Sequence, residues 1–229
     1  MIRLLIALGF FGVISSTSLV GFAAPVVVPP GLAAGSSYRL VFATDTATTG
    51  FSSDVTTYNN LVAMSADTEP ALSALGTTWN AIASTSTVDA RDNTGTNPAS
   101  MGVPIYNLAG QLVATSNADL WDGSIANAIF YNQHGEPPPP GLQIVWTGTR
   151  TTGIADHPMG TEFPSWGEGD YSDNEWVFAS YGSYGSEREF LLYGMSGVLT
   201  VVPEPATIVP AALAAAAALA LYMKRRSRA

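Results

Sequence analysis

Tyr38-Arg39-Leu40-Val41-Phe42-Ala43 is the first clear structural element of this 229-residue chain. Its β-branched and aromatic side chains predict a strand. A loop rich in Thr, Ser and Gly follows over residues 44–53, and Asp54 then stands where its carboxylate can cap a helix. One face of that predicted helix carries apolar residues at i, i+3, i+6 and i+7: Val55, Tyr58, Leu61 and Val62.

Short segments separated by turn residues make up the rest of the globular part. A second short helix is predicted over residues 69–75, where Gly76 ends it. We therefore expect an α+β fold with one or two N-terminal helices, followed by short antiparallel strands with long loops. The predicted strands are apolar segments bounded by Gly, Asn, Asp and Pro, at residues 79–82, 103–108, 111–114, 143–146, 190–193 and 197–202.

Five short motifs occur in a fixed order through this region. They are Gly76-Thr77-Thr78-Trp79-Asn80-Ala81, Val88-Asp89-Ala90-Arg91-Asp92, Tyr106 with Gly110 and Val113-Ala114, Asn117-Ala118-Asp119-Leu120-Trp121-Asp122-Gly123-Ser124, and Val145-Trp146-Thr147-Gly148-Thr149. In this joint order, residues 38–201 resemble the endostatin-like branch of the C-type-lectin-like fold, which includes exported bacterial proteins. The resemblance implies that the Trp, Arg, Asp and Gly positions mostly build the scaffold. The family's usual cysteines are absent from this chain, and endostatin's zinc-binding histidines have no matching positions.

The C-terminal end has three parts in sequence order: Val202-Pro203-Glu204-Pro205, an apolar run over residues 206–223, and Lys224-Arg225-Arg226-Ser227-Arg228. As a helix, the run would be about 27 Å long, enough for a single transmembrane helix with the basic end as its cytoplasmic stop. This tail resembles the PEP-CTERM sorting signal of Gram-negative, exopolysaccharide-producing bacteria. The resemblance implies that an exosortase recognises Pro203, Glu204 and Pro205, and that the helix and the stop (Lys224, Arg225, Arg226 and Arg228) are then removed. An ordinary tail anchor is the alternative, although nine alanines and three leucines among the eighteen residues make the run weakly apolar.

The N-terminal end predicts a secretory signal peptide. Arg3 precedes an apolar core over residues 4–14, and Gly21-Phe22-Ala23 places small residues at the positions that signal peptidase inspects. An uncleaved N-terminal anchor is the alternative. We expect a signal peptide at 1–23, an extended lead-in at 24–36, one extracytoplasmic domain at 37–202, and the sorting signal at 203–229. The protein would be anchored in the inner membrane before processing, and would then reach the cell envelope or the extracellular matrix.

The charge of the expected mature part is strongly negative. Residues 24–202 hold four arginines and seventeen acids, which gives a net charge of −13. Nucleic acid is therefore not an expected partner, because its binding depends on basic groups that neutralise phosphates. The chain contains no cysteine, so neither disulfides nor Cys-based catalysis or metal binding is possible.

Two segments are candidates for ligand binding. The segment 162–176 combines acidic and aromatic residues with two glycines, which suits either calcium or a sugar, although a solvated acidic loop is the simpler interpretation. Trp121, between Asp119 and Asp122, is either a buried scaffold residue or an aromatic platform for a sugar ring. Calcium is the one cofactor that the segment 162–176 suggests. The candidate residues of the first segment are Glu162, Trp166, Glu168, Asp170, Asp173, Glu175 and Trp176.

Catalytic signatures are weak in this sequence. Neither His134 nor His157 belongs to a His-Glu-x-x-His motif, and Gly-x-Ser-x-Gly is absent, so each histidine is interpreted as a surface residue. The sequence favours an exported, non-enzymatic surface or matrix module for which polysaccharide is the candidate ligand. Two alternatives stay open: a secreted glycan-active hydrolase that uses a pair of acids, and a purely structural matrix component.

Overall fold

The computed structural model describes residues 24–138 and 143–202. The predicted signal peptide, the Pro203-Glu204-Pro205 motif, the apolar run 206–223 and the basic end lie outside these residues. Within the described residues, no helix has both the length and the hydropathy that are needed to cross a bilayer.

The described chain is a mixed α/β structure with many short strands and few helices. The helices are α1 (Val55–Asp67), α2 (Pro70–Ser73), α3 (Ala90–Asn93) and α4 (Asn117–Leu120), with a 3₁₀ turn at Asn174–Trp176. The strands are β1 (Ser37–Ala43), β2 (Thr48–Thr49), β3 (Trp79–Ala81), β4 (Ile105–Asn107), β5 (Leu112–Ala114), β6 (Ile144–Trp146), β7 (Trp166–Glu168), β8 (Glu189–Phe190), β9 (Tyr193–Ser196) and β10 (Leu199–Thr200).

The central sheet has the order β3-β9-β1-β4-β5, and β10 also pairs with β1. Two small sheets, β2-β8 and β6-β7, complete the architecture. The expectation of antiparallel strands holds for every pair among the described strands except β1 and β4, which run parallel. A parallel pair needs a crossover connection. Here the crossover is the segment between β1 and β4, which includes α1, α2, β3 and α3.

Strand β1 is the centre of the core because both of its faces are covered. Val41 and Ala43 join one hydrophobic cluster, which contains Trp121 and Trp176. The alternate residues Tyr38, Leu40 and Phe42 join a second cluster, which contains Tyr58 and Val62 of α1. Side chains alternate between the two faces of a strand, so one apolar strand can organise both clusters.

Helix α1 forms as predicted, with Asp54 as its cap. The Asp54 carboxylate accepts a hydrogen bond from the Thr56 amide at 2.9 Å. The buried face comprises Tyr58, Val62, Ser65 and Ala66, whereas Val55 and Leu61 are only partly buried. Burial raises the pKa of Tyr58 to about 12, and its hydroxyl donates to the Ser52 carbonyl at 2.9 Å.

Several short elements differ from the expectation. The predicted second helix is shorter, with Glu69 as its cap, and the predicted strand at 190–193 is divided between β8 and β9. Helices α3 and α4 and strands β2 and β7 were not predicted, and β2 lies in the segment 44–53 that was expected to be a loop. Each spans only two to four residues, so none shows a periodicity that can be recognised in the sequence.

The lead-in at 24–36 packs onto the domain. The Val26 amide donates to the Leu108 carbonyl at 2.8 Å, and the Tyr38 hydroxyl donates to the Val27 carbonyl at 2.7 Å. These bonds hold the lead-in beside the turn between β4 and β5, where part of the candidate site lies.

Candidate functional site

The three tryptophans proposed as candidate ligand contacts are buried. Trp121 is 4% exposed, Trp166 9% and Trp176 0%, and the ring centroids of Trp121 and Trp176 are 5.8 Å apart. The Trp121 indole N–H donates to the hydroxyl of Thr96 at 3.0 Å. These rings therefore form scaffold, and none of them offers a face on which a sugar can stack in this conformation.

The two acids beside Trp121 hold local turns. Asp119 accepts hydrogen bonds from the amide and the hydroxyl of Thr115 at 2.6 and 2.8 Å. Asp122 accepts from the Ser124 amide at 3.1 Å. Both carboxylates are thus used near their own backbone, in the way that Asp commonly stabilises turns.

The acidic segment separates into two parts in the structure. Glu162 is exposed, and Asp173 caps the 3₁₀ turn by accepting from the Glu175 amide at 3.0 Å. The remaining acids gather around Tyr171. Burial, followed by the negative charges of Asp170 and Glu175, raises the pKa of Glu168. The Tyr171 pKa is also raised, most of all by Glu168 and then by Glu175.

The arrangement of these acids does not support a calcium site. Among residues 24–138 and 143–202, no group of three His, Cys, Asp or Glu side chains is arranged so that it could hold a metal ion. A calcium site needs about six to eight oxygen ligands that converge on one point.

Asp170 instead lines a surface pocket of about 330 Å³, which we name the Phe130 pocket. It forms where the β4–β5 turn, the segment 127–131 and the turn after β7 meet. Phe130 and Tyr131 are half-buried and pack edge to face, with ring centroids 6.1 Å apart. The residues that line the pocket are Gln111, Asn127, Ala128, Phe130, Tyr131 and Asp170.

One buried residue, Asn107, holds the polar wall of the Phe130 pocket in place. Its amide nitrogen donates to the Gln111 Oε1 at 2.9 Å and to the Ala128 carbonyl at 3.1 Å. Its Oδ1 accepts from the amides of Ala109 and Gln111 across the turn. Gly110 has φ +77°, a conformation that glycine adopts readily, and this allows the turn to close.

Polar atoms remain available at this wall. The Asn127 Nδ2 donates to the Leu112 carbonyl at 2.8 Å, which fixes its amide plane. Among the described residues, the Gln111 Nε2, the Asn127 Oδ1 and the Asp170 carboxylate have no hydrogen-bond partner in the protein. The pocket thus combines aromatic rings with a side-chain donor and side-chain acceptors, a combination suited to a neutral hydroxylated ligand.

A second cavity, of about 320 Å³, lies between α1 and the loop that follows β1. We name it the His134 cavity. The His134 Nδ1 lies 3.0 Å from the Glu69 Oε2, and its Nε2 lies 3.6 Å from the Asp45 Oδ2. The hydrogen bond with His134 is the main reason that the pKa of Glu69 is lowered. His134 is partly exposed, as expected of a surface residue, but it is not isolated, because two carboxylates from distant parts of the chain flank its ring.

His157 is also engaged with neighbours. Its ring stacks on Tyr181 with centroids 3.7 Å apart, and its Nδ1 lies 3.0 Å from an oxygen of Asp156. In the described part of the chain, neither histidine is hydrogen bonded to a Ser or Thr hydroxyl. This arrangement lacks the contact between a nucleophile and its base that serine-type hydrolysis requires.

Sequence reasoning found only part of the Phe130 pocket. It singled out Asp170 but missed Gln111, Asn127, Phe130 and Tyr131. These residues belong to separate segments, and no spacing within one segment connects them. No protein-family model matches the chain, and no curated protein matches it.

Proposed function

We propose that this chain is an exported cell-envelope or matrix protein whose globular domain binds neutral polysaccharide at the Phe130 pocket without cleaving it. The observation that carries the proposal is the convergence of Phe130, Tyr131 and Asp170 with two side-chain amides in one open pocket. Sugar rings present both C–H faces and hydroxyl groups. Aromatic rings pack against the C–H faces, and amides and carboxylates form hydrogen bonds with the hydroxyl groups.

The charge of the domain favours a neutral glycan over an acidic one. Asp170 lies in the pocket, and its negative charge and that of Glu175 help to raise the pKa of the neighbouring Glu168. With a net charge of −13 over residues 24–202, the domain repels polyanions. A neutral polymer avoids this repulsion, and its hydroxyl groups can still donate hydrogen bonds to the Asp170 carboxylate.

We also propose that the domain belongs to the endostatin-like branch of the C-type-lectin-like fold. The ordered series of motifs supports this, together with the burial of Trp79, Trp121 and Trp146, which the resemblance assigns to the scaffold. Long segments without helix or strand, residues 121–138 and 147–165, follow α4 and β6, in agreement with a loop-rich fold.

Export and sorting complete the proposal. Signal peptidase would remove residues 1–23, and an exosortase would act at Pro203, Glu204 and Pro205 before the protein leaves the membrane. Mass spectrometry of the protein recovered from the cell surface is expected to show a chain without residues 1–23 and without the basic end. Recovery of the intact 229-residue chain from the cytosol would contradict this part of the proposal.

A glycan array followed by affinity electrophoresis tests the binding. The fragment 24–202 contains both hydrophobic clusters, and it should bind at least one neutral polysaccharide. Phe130→Ala and Asp170→Asn should each weaken that binding about tenfold, which corresponds to about 1.4 kcal/mol. Phe51, which is 60% exposed, and Asp67, which is also exposed, lie outside the pocket and supply the matched controls Phe51→Ala and Asp67→Asn. Equal retention of all four variants and the unmodified domain would contradict the proposal.

A glycan-active hydrolase is the second candidate, and one observation favours it. The pKa of Glu168 is raised by burial and by the nearby Asp170, as occurs in the general acid of a glycosidase. The same polysaccharides should therefore be assayed for new reducing ends. Turnover that disappears in Glu168→Gln would replace the binding proposal with the hydrolase.

A further inference from the structure

The His134 cavity is a second pocket of the domain, which polysaccharide binding at the Phe130 pocket does not use. Its walls are largely apolar, with Leu61 and Met64 from α1 and Leu192 from the segment before β9. Its volume of about 320 Å³ lies at the lower end of the range for small-molecule sites, about 300–1,000 Å³. A compact ligand with an aliphatic body therefore fits this space.

Ser65 keeps this part of the wall open because its side chain is small. It lies on α1 and lines the cavity, and only 9% of its surface is exposed. Its Oγ is enclosed by protein atoms, so Ser65 contributes its small size to the cavity and not a hydrogen bond to a ligand. A larger side chain at this position would take up part of the cavity.

The charge at the mouth of the cavity selects the kind of polar group. His134 lies between the carboxylates of Asp45 and Glu69. These three side chains together carry −1 when His134 is protonated and −2 when it is neutral, so the mouth is negative in either state. The Asp45 carboxylate is partly exposed, which leaves it accessible to a cation. An anionic head group is disfavoured here, and a cationic one is favoured.

We propose that the His134 cavity binds small aliphatic amines. The alkyl chain packs against Leu61, Met64 and Leu192, beside the small side chain of Ser65, and the ammonium group pairs with Asp45. No Phe, Tyr or Trp side chain lines this cavity among the described residues, so recognition depends mainly on alkyl packing and charge. This site is separate from the Phe130 pocket and does not depend on polysaccharide binding.

Three probes with the same alkyl chain test the proposal: hexylamine, 1-hexanol and hexanoate. Each is titrated into the purified full chain, and binding is followed by NMR at neutral pH. Hexylamine should bind most tightly, 1-hexanol more weakly and hexanoate least. Asp45→Asn should weaken hexylamine binding about threefold and leave 1-hexanol unchanged. The control Asp67→Asn alters an exposed acid of α1 that lies outside the cavity, and it should change the affinity for neither hexylamine nor 1-hexanol.

Two cavity-filling variants locate the site. Ser65→Leu should weaken hexylamine binding at least about tenfold, because the larger side chain occupies the space of the alkyl chain. Ala47→Leu narrows the cavity from the loop side and provides the same test if Ser65→Leu does not fold. Unchanged affinity in the folded filling variants, or hexanoate binding as tight as that of hexylamine, would overturn the proposal. Asp170→Asn should leave amine binding unchanged, so this test and the polysaccharide test fail independently.

Discussion

Asn107 is a single buried amide that organises an exposed surface. All four of its side-chain hydrogen bonds go to the β4–β5 turn or to Ala128, both at the edge of the Phe130 pocket. The polar wall of the Phe130 pocket therefore depends on a buried side chain that a ligand in the pocket would not contact. The sequence gives no hint of this role, because an Asn before a turn is common in loops.

Replacing this residue should affect both stability and binding. Asn107→Ala is expected to destabilise the domain by about 2–3 kcal/mol, because it leaves the buried partners of the amide unpaired. Chemical denaturation measures the loss. Asn60→Ala, at an exposed position of α1, should change the stability by less than about 0.5 kcal/mol. An Asn107→Ala protein as stable as the Asn60→Ala control would show that the network contributes little.

Gly167 and Gly169 look equivalent in the sequence, but the structure distinguishes them. A Cβ at Gly167 would overlap the Trp176 carbonyl and approach the Val177 Cα to 2.9 Å. A Cβ at Gly169 would lie 3.4 Å from its nearest neighbours, the Gln143 and Ile129 carbonyls, which is an ordinary contact. The first glycine thus allows β7 to pack against the backbone after the 3₁₀ turn.

The pair therefore provides a matched test of this close approach. Gly167→Ala should cost about 3 kcal/mol or more, since backbone must move to admit the methyl group. Gly169→Ala should stay within about 1 kcal/mol of the unmodified domain. Thermal unfolding of both variants compares them directly, and similar melting temperatures would refute the described packing of β7.

At the scale of elements, the first half of the chain was the more predictable. The strand at 38–43, expected from its composition, and the helix capped by Asp54, expected from the spacing of its apolar residues, both form. The single-turn helices and β7 depend on tertiary contacts, and their sequences show no repeat. For the same reason Asp170 could be proposed from its acidic segment, whereas Phe130 and Asn127 join it only through the fold.

Helix α2 is joined to the loop around His134 by one carboxylate. The Glu69 Oε1 accepts from the Ala71 amide at 3.1 Å and caps the helix, while the Oε2 bonds His134. Bonding to His134 lowers the Glu69 pKa below its ordinary value of 4.5. A lowered carboxyl pKa stabilises the folded state above the ordinary value, and this stabilisation is lost as the pH falls through that value towards the folded-state pKa.

Glu69→Gln tests this link and its pH dependence. The variant keeps an oxygen that can cap α2 but loses the charge that pairs with His134. We expect it to be less stable than the unmodified domain by about 1 kcal/mol or less near pH 6, since His134 is partly exposed. The difference should shrink as the pH falls below 4.5. For Asp67→Asn we expect a stability difference that does not change with pH. If the difference for Glu69→Gln grew in acid, or were equally independent of pH, the link between Glu69 and His134 would be contradicted.

At the scale of the whole molecule, the two pockets and the core have different origins. The core is organised around β1, whose two apolar faces contribute side chains to the two hydrophobic clusters. The Phe130 pocket forms where loops meet at the surface of that core, and the His134 cavity forms between α1 and the loop after β1. Net charge and the absence of cysteine could be taken from the sequence, and they limit the classes of ligand. The positions of the pockets could not, because they depend on how distant loops converge.

The central claim is that polysaccharide binds at the Phe130 pocket. Chemical-shift mapping of the fragment 24–202, titrated with an oligosaccharide of the glycan selected on the array, tests it most directly. We predict that the largest amide shifts occur at Gln111, at residues 127–131 and at Asp170. Shifts centred on the His134 cavity or on any other surface, or none at saturating oligosaccharide, would contradict the claim.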